Sequence, residues 1–342
     1  MNFNPSSNDK SSSALIPSPF ISCVLSPAAP FPFISLSQPG ISYLHTQIPA
    51  LTHPQIHGFT GSSLVWQRNI PTFSQEHRVI VPDLRGHGAS DKPKHGYHVS
   101  RLAMDLRELL IHLDPSLLGG KSLGWKAIGG SLGCSILWCY AELFTTSHFD
   151  SMVFVDQSPL QNSTLDGWDS QFCNRGLNNA SALSALQTTL LLSPETAHKG
   201  TIASCLSYRS HPLPPPAPKV LPQIQAADEE FFLKEAMKGD GEWLGKLMAD
   251  HTSLDWRDSI ASCFGKGSGS QTLVLVVASS RSGCFPAAGP LKVVDFVNGG
   301  QIEGFGFAQG VTVDWGGHWC YWENPERFES LVARWWNDGR VD

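Results

Sequence analysis

The sequence predicts an α/β architecture, a mostly parallel sheet covered by helices on both faces. Three observations carry that expectation. Short, solidly apolar runs (Arg78-Val-Ile-Val-Pro82, Ser151-Met-Val-Phe-Val-Asp156, Gln271 to Val277) read as strands buried on both faces. Helical stretches alternate with them, as a parallel sheet with crossover helices requires. The alternation breaks once, between Ser158 and Ser262, where no clear strand appears.

Residues 1–40 hold 10 Ser and 7 Pro, so residues 1–32 read as a poorly ordered arm. Phe31 to Leu36 and Ile41-Ser-Tyr-Leu-His45 are candidate first strands. Ile48 to Ile56 is a weak stretch: Thr52-His-Pro-Gln-Ile56 is hardly apolar, and Pro54 cannot donate to a central ladder. Val99 to Leu113 is a helix with Leu102, Leu106, Leu109, Leu110 and Leu113 on one face and Ser100 as its expected N-cap. Trp125 to Ile128 is a short strand running into Gly129-Gly-Ser-Leu-Gly133, and an apolar helix follows from Cys134 to Phe144. Beyond Ser158 come helix-like stretches at Ala180 to Leu192 and Ala226 to Met248, and a stiff Pro-rich spacer from His211 to Pro218. Gly299 to Phe307 reads as an irregular insertion, Val311 to Val313 as the last strand and Pro325 to Trp336 as the last helix. The expected division is therefore a core of 33–157 and 262–342, interrupted by a helical insertion at 158–261.

Composition narrows the function. The 342 residues carry 24 Lys plus Arg against 30 Asp plus Glu, a net charge of −6, with no basic block. Nucleic acid is thus a poor partner. The aliphatic run from Leu273 to Ala278 falls far short of the ~20 residues a membrane span needs. The eight cysteines are scattered without a CxxC pair, which reads as reduced thiols, several of them in the core. No HExxH or P-loop pattern appears, so no catalytic metal and no cofactor are expected. No basic, unbroken leader opens the chain, and a cytoplasmic location is the expectation. The oligomeric state is not legible.

The chemistry centres on Gly129-Gly-Ser131-Leu-Gly133. A strand that turns sharply into a helix leaves one side chain at the tip, and small residues two before and two after relieve the crowding. The Ser131 oxygen then sits at a helix N-terminus, where backbone N–H groups favour a developing negative charge. A nucleophilic serine needs a base. His318, in the glycine-containing loop between the last strand and last helix, is the candidate. His57-Gly-Phe-Thr-Gly61 follows the weak stretch, and the N–H groups of Phe59 and Leu132 could pair as an oxyanion hole.

With these residues in order, the chain resembles the α/β-hydrolase fold superfamily. The likeness rests on His57-Gly-Phe-Thr-Gly-Ser-Ser63, Val81-Pro-Asp-Leu-Arg-Gly-His-Gly-Ala-Ser90, Gly129 to Gly133, and Gly317-His318 with Glu323-Asn-Pro325. It implies eight strands, a helical cap over the site and a Ser–acid–His triad. Asp83 and Arg85 to Gly88 match a segment that is usually structural.

In most of the superfamily the acid follows the strand after the cap. Here that stretch reads Val277-Ala-Ser-Ser-Arg-Ser-Gly-Cys-Phe-Pro286, without a carboxylate. Between Gly265 and His318 only Asp295, Glu303 and Asp314 are acidic. Asp156, at the end of the strand before the cap, is the better candidate, as in a subgroup with Ser or a similar residue at the usual acid site. Its other possible role is to cap the turn into the insertion. Asp250-His251 reads as a structural pair that could also face substrate. The aromatics Trp168, Phe172, Phe231, Phe232 and Trp243 suggest a small apolar substrate. The implied reaction is hydrolysis of an ester, thioester or lactone through an acyl-enzyme, and a tailoring step in small-molecule biosynthesis would fit it. Lyase or C–C bond hydrolase chemistry on the same fold, and an inactive binding relative, stay open as alternatives.

Overall fold

The structure is a computed structural model, and it describes residues 23–25, 34–36, 40–46, 52–119, 123–214, 220–299 and 307–341. Its sheet comprises β1 (Cys23–Leu25), β2 (Ile34–Leu36), β3 (Tyr43–His45), β4 (Thr52–Ile56), β5 (Arg78–Pro82), β6 (Trp125–Gly130), β7 (Phe149–Val155), β8 (Leu273–Ser279) and β9 (Ala308–Val313). The spatial order is β1-β2-β3-β5-β4-β6-β7-β8-β9. Pairs up to β3–β5 are antiparallel; all later pairs are parallel. Nine strands stand where eight were expected, because Cys23–Leu25 adds a short strand at the edge. The rest of the 1–32 arm lies outside the described residues, as do 215–219 of the Pro-rich run and 300–306 of the glycine-rich segment.

The apolar runs are continuous because both faces of the parallel strands are covered. Met152, Phe154, Val274 and Val276 pack on one face with Leu102, Leu106 and Trp138. Val153, Val155, Leu275 and Val277 pack on the other with Val79, Phe328 and Trp335. The covering helices of the core are α1 (Ile70–Phe73), α2 (Val99–Leu113), α3 (Leu132–Phe144) and, later in the chain, α10 (Ala288–Asn298), α11 (Cys320–Glu323) and α12 (Pro325–Asp338).

The weak stretch turns out to be a central strand. All five residues of β4 are buried, paired with β5 on one side and β6 on the other. Its sequence does not look like a central strand because two of its polar side chains, His53 and Gln55, are buried in it. Both ring nitrogens of His53 and the Gln55 amide lack hydrogen bonds. His53 instead sits edge-on to Trp336, ring centroids 4.5 Å apart.

Between β7 and β8 the chain forms α4 (Ala180–Leu192), α5 (Pro194–Cys205), α6 (Ser207–Ser210), α7 (Pro222–Ala236), α8 (Gly241–Ser253) and α9 (Arg257–Phe264). The single helical stretch expected at Ala226 to Met248 is two helices. Asp240 breaks it by accepting from the Trp243 N–H at 2.8 Å, which starts α8 afresh. The expected N-cap of α2 also differs. Ser100 lies inside the helix, and the Val99 N–H donates to Asp250 Oδ2 at 2.8 Å, a cap supplied from α8.

Helix α3 meets the strands without side chains between. A Cβ on Gly133 would overlap the Ile56 carbonyl oxygen, and one on Gly129 would lie 2.7 Å from the Gly133 carbonyl carbon. Gly133→Ala is therefore expected to cost about 1–3 kcal/mol of stability by overpacking. Denaturant titration checks this; an unshifted midpoint would contradict the close approach.

Candidate active site

Ser131 stands between β6 and α3 with φ 54° and ψ −121°. Its N–H donates to the Val155 carbonyl at 3.0 Å, which holds the strained turn against β7. Four non-glycine residues among those described have positive φ: Thr60, Ser131, Thr145 and Asp156. Ser131 lines a cavity, Asp156 is hydrogen-bonded to His318 on its wall and Thr60 follows Phe59 on that wall, the kind of place where strain of ~1–3 kcal/mol per residue is tolerated for function.

Asp156 follows β7 and is fully buried. Its backbone N–H donates to the Val277 carbonyl at 2.8 Å, and its Oδ1 accepts the Ser279 N–H at 2.9 Å. Oδ2 lies 2.7 Å from His318 Nδ1. An ionised carboxylate only accepts, so Nδ1 carries the proton and Nε2 is the ring atom left for chemistry. Asp295 and Asp314 do not reach this imidazole. Asp295 pairs with Lys292 on the surface, and the backbone carbonyl of Asp314 accepts from Arg281. Glu303 lies outside the described residues.

The loop that delivers His318 is pinned on both sides. Gly317 N–H donates to Glu323 Oε2 at 2.6 Å, and Glu323 also accepts from the Ser207 hydroxyl at 2.6 Å. Burial pushes the Glu323 carboxyl above its ordinary range. Trp319 stacks on Phe232 at 3.8 Å, Tyr321 on Trp66 at 4.0 Å, and Trp322 on Phe231 at 4.5 Å. The aromatic loop is thus a packing device and a carrier of the imidazole together.

The His57–Gly61 segment approaches Ser131 from the other side. A Cβ on Gly58 would lie 2.9 Å from the Ser131 Cβ and 3.5 Å from its Oγ, so only glycine admits the backbone here. His57 locks the segment in place. Its Nε2 accepts the Leu84 N–H at 3.0 Å, so its Nδ1–H donates to the Gly58 carbonyl at 2.8 Å. Burial lowers its pKa to about 4 and keeps it neutral. Leu132 opens α3, where the first N–H groups have no intrahelical acceptor.

Ser131, Phe59 and His318 line one cavity of about 70 Å³, together with Gln157, His251, Cys205 and Cys284. It shares Asn174, Leu177, Leu186, Thr201 and Cys284 with a wider pocket of about 310 Å³ between α4 and α5. A further cavity of about 470 Å³ lies at the opposite, amino edge of β7 and β8. Burial lowers His251 to about 3, and its Nδ1 has no partner. Hydrogen bonding from Cys205 pulls the Cys284 thiol down. Burial opposes charge on His318, but Cys284 and Asp156 prevail and raise it.

The aromatics expected to contact substrate lie elsewhere. Trp168 and Phe172 pack against each other at 5.0 Å, and the Trp168 indole N–H donates to the Leu160 carbonyl at 3.0 Å. Trp243 packs over Gly86, and its indole N–H donates to the His95 carbonyl at 3.2 Å. None of the three is among the residues lining the 70 Å³ cavity. Phe231 and Phe232 are taken up by the His318 loop. Apolar pattern alone cannot separate a pocket wall from an interlayer contact. Four groups at the site carry no site role that their sequence context assigns: Ser279, Glu323, Cys205 and Cys284. The first two act through hydrogen bonds to segments distant in sequence, Ser279 to Asp156 and Gly316 and Glu323 to Ser207, and the cysteines meet across 79 positions of sequence. Asp83 accepts the Ser63 and Ala89 N–H groups at 2.6 and 2.7 Å, a loop-bracing role.

A family model described as "alpha/beta hydrolase fold" matches residues 56–325. A soluble epoxide hydrolase from Corynebacterium sp. (strain C12) is 39% identical over 77 residues, 22% of this chain and 26% of that protein. Epoxide hydrolase 4 from Mus musculus is 33% identical over 90 residues, 26% of this chain and 24% of that protein. The chain thus aligns with about a quarter of the length of these curated relatives. Among solved structures, a bromoperoxidase from Bacillus anthracis superposes with a TM-score of 0.71 at 14% identity, covering 93% of this chain and 100% of that one. An esterase from Exiguobacterium antarcticum gives 0.69 at 15% identity, covering 87% and 97%. At such identities the likeness is one of fold. No helix among the described residues is long and apolar enough to cross a membrane.

Proposed function

The chain belongs to the α/β-hydrolase family, and from that premise we propose that it is a serine hydrolase cleaving an ester, thioester or lactone of a small, largely apolar molecule through an acyl-enzyme. One observation carries the reading: Ser131 and His318 share a cavity, and the far side of the His318 ring is hydrogen-bonded to buried Asp156 at 2.7 Å. A hydroxyl, an imidazole and an orienting carboxylate in that relation perform acyl transfer.

Ser131 Oγ attacks the substrate carbonyl carbon while His318 Nε2 takes the hydroxyl proton. Asp156 holds the tautomer and stabilises the imidazolium that forms. The carbonyl oxygen becomes an oxyanion, and the N–H groups of Phe59 and Leu132 are its donors. Each such donor is worth about 3 kcal/mol of transition-state stabilisation. As the C–O bond breaks, or C–S in a thioester, His318 returns the proton to the leaving group. Water then repeats the sequence on the acyl-enzyme. Helices α4–α9 serve as a cap, and entry runs between α4 and α5 through the wider pocket. The buried polar Gln157, Gln161 and His251 at the cavity wall suit a substrate that carries a polar group beside its apolar body.

The serine separates this reading from the epoxide hydrolases that the chain partly matches. Hydrolases of that chemistry, by the family resemblance, place a carboxylate at the elbow. A carboxylate nucleophile would give an alkyl-enzyme ester; a hydroxyl gives an acyl-enzyme from an activated carbonyl.

Asp156→Asn is expected to lower turnover by about 10⁴-fold, since the amide can hold the wrong tautomer. It also removes one of the groups that hold the imidazolium. The residual activity should therefore switch on at lower pH than in the native chain. Steady-state rates and a pH–rate profile on p-nitrophenyl esters check both; near-native turnover would remove Asp156 from the mechanism.

A further inference from the structure

Three side chains with soft or borderline metal-ligand atoms converge beside the nucleophile. Cys205 ends α5, Cys284 lies in the loop after β8, and His318 lies in the loop after β9. Their ligand atoms all fall within 4.8 Å of one another. The two sulfur atoms are 3.7 Å apart. Two thiolates on a tetrahedral zinc ion, with Zn–S near 2.3 Å, stand about 3.8 Å apart. The pair is thus spaced as two ligands of one ion already are.

The surroundings favour the same reading. A ligating histidine commonly donates its other ring N–H to a carboxylate, which orients it and raises its basicity. Asp156 does this for His318, leaving Nε2 as the ligand atom. The cysteines are held in place by backbone bonds. Gly283 N–H donates to the Ser204 carbonyl at 2.9 Å, joining the residues that precede each cysteine, and Arg175 N–H donates to the Cys284 carbonyl at 2.8 Å. A divalent ion with two thiolates and a neutral imidazole is a neutral unit, which lowers the cost of burying it. Cys205, Cys284 and His318 all line the 70 Å³ cavity, so an ion held by them would have that space beside it for a water or a substrate group as fourth ligand.

We propose that Cys205, Cys284 and His318 form a Cys₂His zinc site that reversibly switches off the serine chemistry. Binding deprotonates the two thiols, releases two protons and places the ion on the Nε2 lone pair. That lone pair is the one which accepts the Ser131 proton, so zinc and acylation exclude each other. The inhibitory half rests on the serine-hydrolase reading; the metal half does not.

The test uses the full chain, reduced and stripped with a chelator. Zinc uptake is measured by elemental analysis, and cobalt(II) is added separately as a spectroscopic probe. One zinc per chain is expected, with a thiolate-to-cobalt charge-transfer band in the near ultraviolet. Cys205→Ser and Cys284→Ser should each at least halve the band and weaken zinc binding by at least about 100-fold, as loss of a direct ligand must exceed the effect of an outer partner. Alkylation of Cys284 by iodoacetamide, slowed by zinc in the native chain, gives the same answer should either variant fail to fold. Fluorophosphonate labelling of Ser131 should fall at least about tenfold with one equivalent of zinc and return on adding chelator, given that an occupied imidazole cannot act as base. No cobalt–thiolate band, or zinc uptake unchanged in both variants, overturns the site. Zinc bound through both cysteines with undiminished labelling overturns the switch. No labelling of Ser131 even in the stripped protein defeats the hydrolase reading, while the cobalt band still decides the metal site.

Discussion

Ser131→Ala is expected to abolish covalent capture by a fluorophosphonate and to lower ester turnover by about 10⁶-fold, the scale seen when a triad nucleophile is removed. The expected size follows from the geometry. Among the described residues, Ser131 is the hydroxyl at the strained β6–α3 corner, and its neighbour Gly58 is the residue whose backbone crowds it. Alanine keeps the strained backbone and the apolar contacts, so the variant should fold and melt like the native chain. Peptide mapping after labelling checks the position. Label on any other serine, or a Ser131→Ala enzyme within tenfold of native turnover, sinks the proposed mechanism.

The second large effect is on stability and concerns acid. His57, His87 and His251 are buried, and burial lowers them to about 4, about 3 and about 3. His53 is lowered by burial as well. Each is neutral in the folded chain and takes up a proton near pH 6.5 once unfolded. The unfolded state therefore binds more protons as the pH falls from about 6.5 towards 4, and stability drops through that window. At pH 5 each of the three numbered histidines forfeits about 2 kcal/mol, together about 6 kcal/mol out of a typical 5–15. Burial raises Glu323 and Glu329, which acts in the opposite sense. The melting temperature is expected to fall by about 10 °C between pH 7 and pH 5. A melting temperature that holds constant over that range would show that these rings are not buried neutral.

The fold was legible because its signals are local. Apolar runs of strand length, the leucine face of α2 and the glycines flanking Ser131 each occupy a few adjacent residues. Ser131 and His318 could be named for the same reason: a small-residue corner and a glycine-rich loop mark themselves. β4 was not legible, because its burial comes from its neighbours. His53 and Gln55 sit in the sheet with unsatisfied polar atoms, and residue type alone says otherwise. The helix cap given by Asp250 and the break at Asp240 show the same division. The local cap in α8 can be found in sequence, whereas the tertiary cap on α2 reaches across 151 positions. Aromatic residues were the least informative. Trp168, Phe172 and Trp243 have the chemistry of a pocket lining, yet each spends its ring on packing and, for both indoles, its N–H on a carbonyl.

The separation of Asp156 from His318 by 162 positions has a consequence for biogenesis. On the proposed assignment the ribosome delivers the alcohol first and the carboxylate soon after. The proton acceptor emerges only once the whole helical insertion and the final strand have been made. A nascent or prematurely terminated polypeptide stopping upstream of that ring carries an unactivated hydroxyl and cannot attack the cell's esters. Reactivity is thereby postponed until translation has passed nearly the last feature of the fold.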